Sequence, residues 1–187
     1  ATLLFLLVAL FRRHFLFIYP VGLAGCMLAG TINGIGSIFY YMALARLPAS
    51  IGQMLYSLYP LFLAISMLLD RHPISRMTFF RLLLATAAVL LLTGGSANRV
   101  DPIGVLFMLA GSLLYAFHLP INQRVLYDVP APTVTLYTLL AMSAVVIPAY
   151  LLFDPKLPTG ELSWWPVIGL TLVTFFSRLS LFLGVKH

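Results

Sequence analysis

Polar side chains recur at helical spacing inside the long apolar stretches of this chain. Residues three, four, seven or eight positions apart share one face of a helix, so each run predicts a polar stripe. Such a stripe either binds a polar ligand or forms hydrogen bonds with neighbouring helices. The four stripes are Asn33, Ser37, Tyr40 and Tyr41; Gln53, Tyr56, Ser57 and Pro60; Ser112, Tyr115, His118 and Asn122; and Thr171, Thr174, Ser177 and Arg178.

Arg178 is a charged residue close to the centre of an apolar stretch. At 1.5 Å per residue it lies about 4–5 Å from the middle of residues 164 to 186, too deep for its side chain to reach water easily. We expect it to meet a backbone carbonyl, a group outside this sequence or an anionic group on a ligand. The acidic residues all lie at the ends of apolar stretches or between them: Asp70, Asp101, Asp128, Asp154 and Glu161.

The other stripe residues each have a structural role to set against a ligand-binding one. A single tyrosine, serine or threonine in an apolar helix more often packs or bonds to the backbone than binds a ligand. Asn33 and Gln53 fit either role. His118 fits either a satisfied interior histidine or a protonation site.

Catalytic and metal sites lack the partners that they need. His14, His72 and His187 stand at the ends of apolar stretches, and no carboxylate accompanies His118. Acid-base chemistry and metal binding both require such partners. The only cysteine, Cys26, lies within an apolar run and predicts a packed side chain rather than a disulfide or a ligand. We therefore expect no enzyme activity, no catalytic residue, no metal and no cofactor.

The amino-acid composition indicates that membrane-spanning helices position these polar residues. Hydrophobic residues make up 61% of the 187 and charged residues only 9%, against about 25% charged in a soluble domain. The mean hydropathy is +1.03. About 20 apolar residues in a helix cross the hydrocarbon layer of a bilayer. Proline, glycine and charge divide the chain into a partial segment, 1 to 11, and six full ones: 16 to 45, 50 to 69, 77 to 95, 102 to 122, 132 to 153 and 164 to 186.

These segments predict an all-α integral membrane protein, a multi-span helix bundle. Pro60, Pro120 and Pro148 each remove a backbone hydrogen bond and can kink a helix. Asp101 followed by Pro102 predicts an N-cap and the first residue of a helix. Small residues from 22 to 36 predict close helix packing: Gly22, Ala24, Gly25, Ala29, Gly30, Gly34 and Gly36.

The basic residues predict the orientation of the helices. The net charge is +6, but the eleven Lys and Arg residues are scattered between apolar runs, which favours anchoring at the membrane surface over nucleic-acid binding. Short links make consecutive spans antiparallel. One side then carries Arg12, Arg13, Arg71, Arg76, Arg81, Arg124 and Lys186, and the other Arg46, Arg99 and Lys156. The side with seven basic residues is expected to be cytoplasmic.

The stretch from 43 to 92 resembles the EamA domain of the drug/metabolite transporter (DMT) superfamily. The similarity lies in a Pro-Ala-Ser turn at 48–50, a helix containing Pro60, Leu61 and Phe62, and an acidic-Arg pair before the next span. Asp70 and Ala87 depart from the pattern, where Glu after Gly and a Gly are usual. Residues 104–124 and 182–186 resemble parts of a second repeat.

The resemblance implies a ten-span fold of two inverted five-helix repeats with cytoplasmic termini. Residues 1–95 would end the first repeat, from a partial second span through the fifth. Residues 96–101 would connect it to the start of the second, 102–187. We accordingly expect a fragment of a longer protein in the prokaryotic cytoplasmic (inner) membrane. A shift of 140 positions pairs Ser37 with Ser177 and Arg46 with Lys186.

Together these features predict a transporter or exporter of small metabolites or drugs that operates by alternating access. Its partners would be the lipid bilayer and a small-molecule substrate, with an anionic group on that substrate as one option. A non-transporting membrane scaffold and a seven-helix receptor-like protein are the alternatives, although neither Lys156 nor Lys186 suits a mid-span retinal. The expected substrate-binding residues are Asn33, Tyr40, Gln53, Tyr56, His118 and Arg178.

Overall fold

The computed structural model describes residues 2–11, 17–69, 101–153 and 165–186, and within 76–91 the residues 76–77, 79–80, 83–84, 86–87 and 91. Every element in these ranges is a helix, which confirms the expected all-α class. We number the helices α1 (Thr2–Phe11), α2 (Pro20–Leu44), α3 (Ala49–Tyr56), α4 (Tyr59–Leu69), α5 (Pro102–Leu126), α6 (Ala131–Phe153) and α7 (Trp165–Lys186). Most of the predicted span 77 to 95 lies outside the described residues.

Four of the described segments are long and apolar enough to cross a bilayer. They are Pro20–Leu44, Ala49–Leu68, Pro102–Leu126 and Ala131–Phe153, of 25, 20, 25 and 23 residues. The third, α5, extends past the predicted end at 122. Large apolar side chains such as Leu140, Ile147 and Leu151 of α6 are exposed, as expected for helix faces that meet lipid. These features suggest an integral membrane protein.

The chain divides into two compact units. The first unit comprises Ala1–Gly34 and His118–His187, and the second comprises Ile35–Phe117. Helices α2 and α5 each contribute one part to each unit. The predicted division into repeats at 1–95 and 102–187 describes sequence repetition rather than compactness, and it stays a prediction.

In the first unit, α2 packs closely against α5 and α6 through its small residues. A Cβ atom at Gly25 would lie 2.6 Å from the Val125 side chain, and one at Gly34 would lie 3.0 Å from that of Val145. A Cβ atom at Gly30 would meet the Thr138 carbonyl and, at 2.6 Å, the Ala141 side chain. The prediction of close packing from this run is confirmed at these glycines.

Apolar side chains complete the first unit. Cys26 is fully buried in a cluster with Val125, Leu126 and Val134, in agreement with its predicted packing role. Helices α1 and α7 both pack against α6. Their contacts centre on Leu136 and Leu139 of α6.

The second unit contains the carboxyl-terminal part of α2, helices α3 and α4, and the first part of α5. Its buried core comprises Ala43, Leu47, Ile51, Leu55 and Met108. Helices α2 and α5 approach closely, since a Cβ atom at residue 111 would lie 3.0 Å from the carbonyl oxygen of residue 36. Both positions are glycine, which makes this approach possible.

Asp101 caps α5 as predicted. Its Oδ1 accepts a hydrogen bond of 3.0 Å from the Ile103 N–H, the geometry of a helix N-cap. Arg46, in the turn after α2, donates to Asp101 Oδ2 at 3.1 Å. These two interactions, the Arg46 hydrogen bond foremost, hold the pKa of Asp101 below its ordinary value of 3.8. The ion pair ties the α2–α3 turn to the start of α5.

Candidate functional site

The structure places the six predicted binding residues in three groups. Tyr40, Gln53 and Tyr56 come together in the second unit. Asn33 and His118 belong to the first unit and are buried there. Arg178 lies on helix α7, and its side chain is outside the described residues.

The second unit contains a membrane-length segment that is interrupted near Pro60, and we call it the broken span. The predicted segment 50 to 69 is present as Ala49–Leu68, and within it α3 ends at Tyr56 and α4 begins at Tyr59. Proline has no N–H, so residue 60 cannot donate the helical hydrogen bond to the carbonyl four residues earlier, that of Tyr56. The Ser112 hydroxyl of α5 donates to this carbonyl oxygen at 3.0 Å instead.

The other carbonyls at the end of α3 also have partners. The Ser57 hydroxyl donates to the Met54 carbonyl at 2.6 Å. The Leu58 N–H donates to the Leu55 carbonyl at 3.2 Å, a tighter turn than that of an α-helix. Non-helical backbone at membrane depth is tolerated where its polar groups are satisfied within the protein. The break therefore satisfies these three carbonyls without water.

Four tyrosine rings surround the break, and we call Tyr40, Tyr56, Tyr59 and Tyr115 the tyrosine cluster. Tyr56 is its centre, with ring centroids 5.0 Å from Tyr40, 5.4 Å from Tyr115 and 6.4 Å from Tyr59. Tyr59 and Tyr115 meet edge to face at 5.0 Å. All four side chains are half-buried. Three helix segments, from α2, the broken span and α5, thus contribute aromatic rings to one place.

The cluster extends to Gln53 on α3. The Tyr40 hydroxyl donates to Gln53 Oε1 at 3.3 Å, and this amide is exposed. The helical segments that form the site, 35–44, 49–69 and 102–117, contain no Lys, Arg, Asp or Glu. These described segments can therefore offer a ligand aromatic faces and neutral hydrogen-bonding groups, and they carry no formal charge.

The first unit contains a second set of polar groups, which is fully buried. Asn33 donates from Nδ2 to Met142 Sδ at 3.4 Å, linking α2 and α6. The Thr138 hydroxyl of α6 donates to Asn122 Oδ1 of α5 at 3.1 Å. His118 lies one turn before Asn122 on α5 and is also buried.

Two atoms of this buried region have no hydrogen-bond partner among the described residues. They are Nδ2 of Asn122 and Oγ1 of Thr133. A buried amide or hydroxyl without a partner costs about 1–3 kcal/mol. Native proteins retain few such atoms, and those that remain need an explanation. Both atoms are therefore candidates for contact with a polar ligand.

Several site residues were not apparent from the sequence. Helix α6 carries none of the four polar stripes identified in the sequence, yet it buries Thr133, Thr135 and Thr138. Threonine has little predictive value in a membrane helix because its hydroxyl can bond to its own backbone, as Thr135 does to the Ala131 carbonyl at 2.7 Å. Tyr59 was not singled out either, although it directly precedes the helix-breaking Pro60.

One residue of the predicted stripe on α7, Thr171, has an ordinary structural role. The Thr171 hydroxyl donates to the Val167 carbonyl of the same helix at 2.8 Å. Backbone bonding, rather than contact with a ligand, therefore accounts for Thr171. Among the residues that the structure describes, no three His, Cys, Asp or Glu side chains come together as metal ligands.

No protein family, curated protein or solved structure shows significant similarity to the chain. The chemistry of the two polar regions is therefore the basis for a functional proposal. Among the residues described there, that chemistry consists of hydrogen bonding and aromatic contact within apolar helices.

Proposed function

We propose that this chain is part of a membrane transporter that moves small molecules by alternating access. The broken span carries the proposal: α3 and α4 are interrupted within one membrane-length segment, and Ser112 of another helix binds the carbonyl exposed by Pro60. Interrupted helices that place backbone and polar groups at the membrane interior are a common basis of substrate sites in transporters. Buried Asn33 and His118 supply further polar groups.

The family-level proposal is an EamA-type transporter of the DMT superfamily with ten spans in two inverted repeats. In this proposal residues 1–95 end the first repeat and 102–187 begin the second, in a prokaryotic inner membrane. The sequence similarity to the EamA domain between residues 43 and 92 supports this proposal. The proposed substrate contacts are Asn33, Tyr40, Gln53, Tyr56, His118 and Arg178, and the substrates are metabolites or drugs.

A flux assay tests transport directly. The full-length protein is reconstituted in liposomes, a mixture of labelled metabolites is added, and uptake is compared with that of empty liposomes. We expect uptake of at least one component. A Gln53→Leu variant should lose about tenfold in flux, because a hydrogen-bonding group worth about 1.4 kcal/mol disappears from the site.

Gln123→Leu is the matched control, since Gln123 is an exposed glutamine on α5 outside the site. It should transport like the wild type. Folded protein that moves no component of the mixture would contradict the proposal and favour a non-transporting scaffold or a receptor-like protein. Equal flux in the Gln53→Leu and Gln123→Leu variants would remove Gln53 from the site.

A further inference from the structure

The tyrosine cluster is electron-rich. The face of an aromatic ring carries a partial negative charge, and its edge a partial positive charge. Ammonium groups are attracted to such faces, with a contribution of about 0.5–2 kcal/mol that increases as water is excluded. Tyr56 contacts all three of the other rings, and each ring is only half-buried. Part of each ring therefore remains available to a ligand.

The backbone beside the cluster also carries partial negative charge. Tyr56 is the last residue of α3, and the carboxyl-terminal end of a helix carries a partial negative charge. The donors to the last three carbonyls of α3 are two hydroxyls, of Ser57 and Ser112, and the Leu58 amide. All three donors are uncharged, so none of them places a formal positive charge at this helix end.

No positive side chain offsets this partial negative charge from the helical segments that form the site. Residues 35–44, 49–69 and 102–117 contain no Lys or Arg. Arg46, two residues after the first of these segments, is paired with Asp101 at 3.1 Å. An anion at the cluster would face the tyrosine rings, with no counterion among the side chains of these segments. A cation would be stabilised by the ring faces.

We infer that the tyrosine cluster binds an organic cation, an ammonium group with apolar substituents, and that this is the substrate class of the cluster. Arg178, whose side chain lies outside the described residues, is not part of this cluster. The inference rests on the proposed transport function for its biological meaning. An inorganic cation fits less well, because such ions need several free oxygen ligands. Here the Tyr56 carbonyl and Gln53 Oε1 already accept hydrogen bonds. Aromatic and apolar walls instead suit a poorly hydrated ammonium.

Two probes, measured for binding to the purified full-length protein in lipid nanodiscs, separate the effect of ligand charge from that of ligand shape. The probes are choline and its neutral carbon isostere, in which a tert-butyl group replaces the trimethylammonium group. We expect choline to bind about tenfold more tightly than the isostere. Equal affinity for the two probes would overturn the inference, since shape alone would then account for binding.

Substitutions at residue 56 test the ring itself. Tyr56→Phe keeps the aromatic face and should retain choline binding, whereas Tyr56→Leu should lose it. Mono-, di- and trifluorinated phenylalanine at residue 56 should weaken binding stepwise, because fluorine withdraws electron density from the ring with little change in its size. Tyr150→Leu, at an exposed tyrosine of α6 in the other unit, is the matched control and should bind choline normally.

The fluorinated series keeps the test valid even if Tyr56→Leu fails to fold. Unchanged affinity across that series would overturn the role of the ring face. The flux assay distinguishes the two proposals. Flux of other metabolites without binding or transport of choline would refute the cation site and leave transport standing, whereas choline binding without flux of any solute would refute transport and leave the site standing.

Discussion

Pro60 and Ser112 lie on different helices, but both determine which group binds the Tyr56 carbonyl. Proline removes the N–H that would bond to the Tyr56 carbonyl, and the Ser112 hydroxyl occupies that position at 3.0 Å. In a membrane interior no water is available to replace a lost partner. The hydroxyl should therefore contribute more to stability than a serine that bonds within its own helix.

We predict that Ser112→Ala destabilises the folded protein by about 1–2 kcal/mol, at the upper end for an interhelical hydrogen bond in a membrane. In a Pro60→Ala background the cost should fall below about 0.5 kcal/mol, because the new N–H of residue 60 can bond to the Tyr56 carbonyl. The measurement is a double-mutant cycle of unfolding free energies in mixed micelles.

Ser66→Ala is the control for this cycle. The Ser66 hydroxyl donates to the Leu63 carbonyl of its own helix at 2.7 Å, so its loss should change stability little and independently of residue 60. Additive effects of Ser112→Ala and Pro60→Ala would show that the serine does not replace the missing helical hydrogen bond.

Helix α2 depends on glycine for its position against α6. A Cβ atom at Gly30 would meet the Thr138 carbonyl and the Ala141 side chain. Neither obstacle is the flexible end of a long side chain, so the two helices would have to move apart. That movement would disturb the neighbouring hydrogen bonds of Asn33 with Met142 and of Thr138 with Asn122.

We predict that Gly30→Ala destabilises the protein by about 1–3 kcal/mol, the usual cost of overpacking. Gly169→Ala is the matched control, since Gly169 lies in α7 and a Cβ atom there would meet nothing within 4 Å. This second change should be neutral or stabilising by up to about 1 kcal/mol, because alanine favours a helix. Unfolding free energies in mixed micelles compare the two, and equal effects would contradict close packing at Gly30.

At the level of the helices, the sequence predicted most of what the structure describes. Hydropathy and the Asp101–Pro102 cap gave helix ends within a few residues, because a bilayer sets the length of a span and an N-cap sets its start. The stop at Tyr56 was not predicted. A proline in a membrane span can kink, bend or break its helix, and here the outcome involves a partner on α5, which sequence spacing does not reveal.

The candidate site was predictable only in part for the same reason. Helical spacing placed Gln53 and Tyr56 on one face, and in the structure both contact Tyr40 of another stripe. Tyr59 and Thr138 could not be recognised, because their importance depends on which helices are neighbours. The proposed ligand contacts, including that of Arg178, remain predictions.

At the scale of the whole chain, we expect the spans to alternate across the membrane. The alternation predicted from the sequence assigns seven basic residues to one side and three to the other. The described turns carry one marker for each side: Arg46 between α2 and α3, and Arg124 near the end of α5. Cytoplasmic loops of membrane proteins are enriched in Lys and Arg. The turn after α5 should therefore be cytoplasmic and the turn after α2 external.

Single cysteines can establish this orientation in cells. Cys26 is the only cysteine in the sequence and is buried, so Cys26→Ala provides a background without thiols. The cells have an opened outer envelope and an intact inner membrane. In the Cys26→Ala background we predict that a membrane-impermeant maleimide labels Ala45→Cys in these cells, because residue 45 is exposed in the turn expected to be external. Tyr127→Cys, at a position 77% exposed after α5, should be labelled only after the inner membrane is opened. The reverse pattern would contradict the orientation derived from the basic residues. Labelling of both sites while the inner membrane is intact would contradict antiparallel spans. The predicted spans 50 to 69, 77 to 95 and 102 to 122 lie between the two turns, and an odd number of crossings requires the turns to lie on opposite sides.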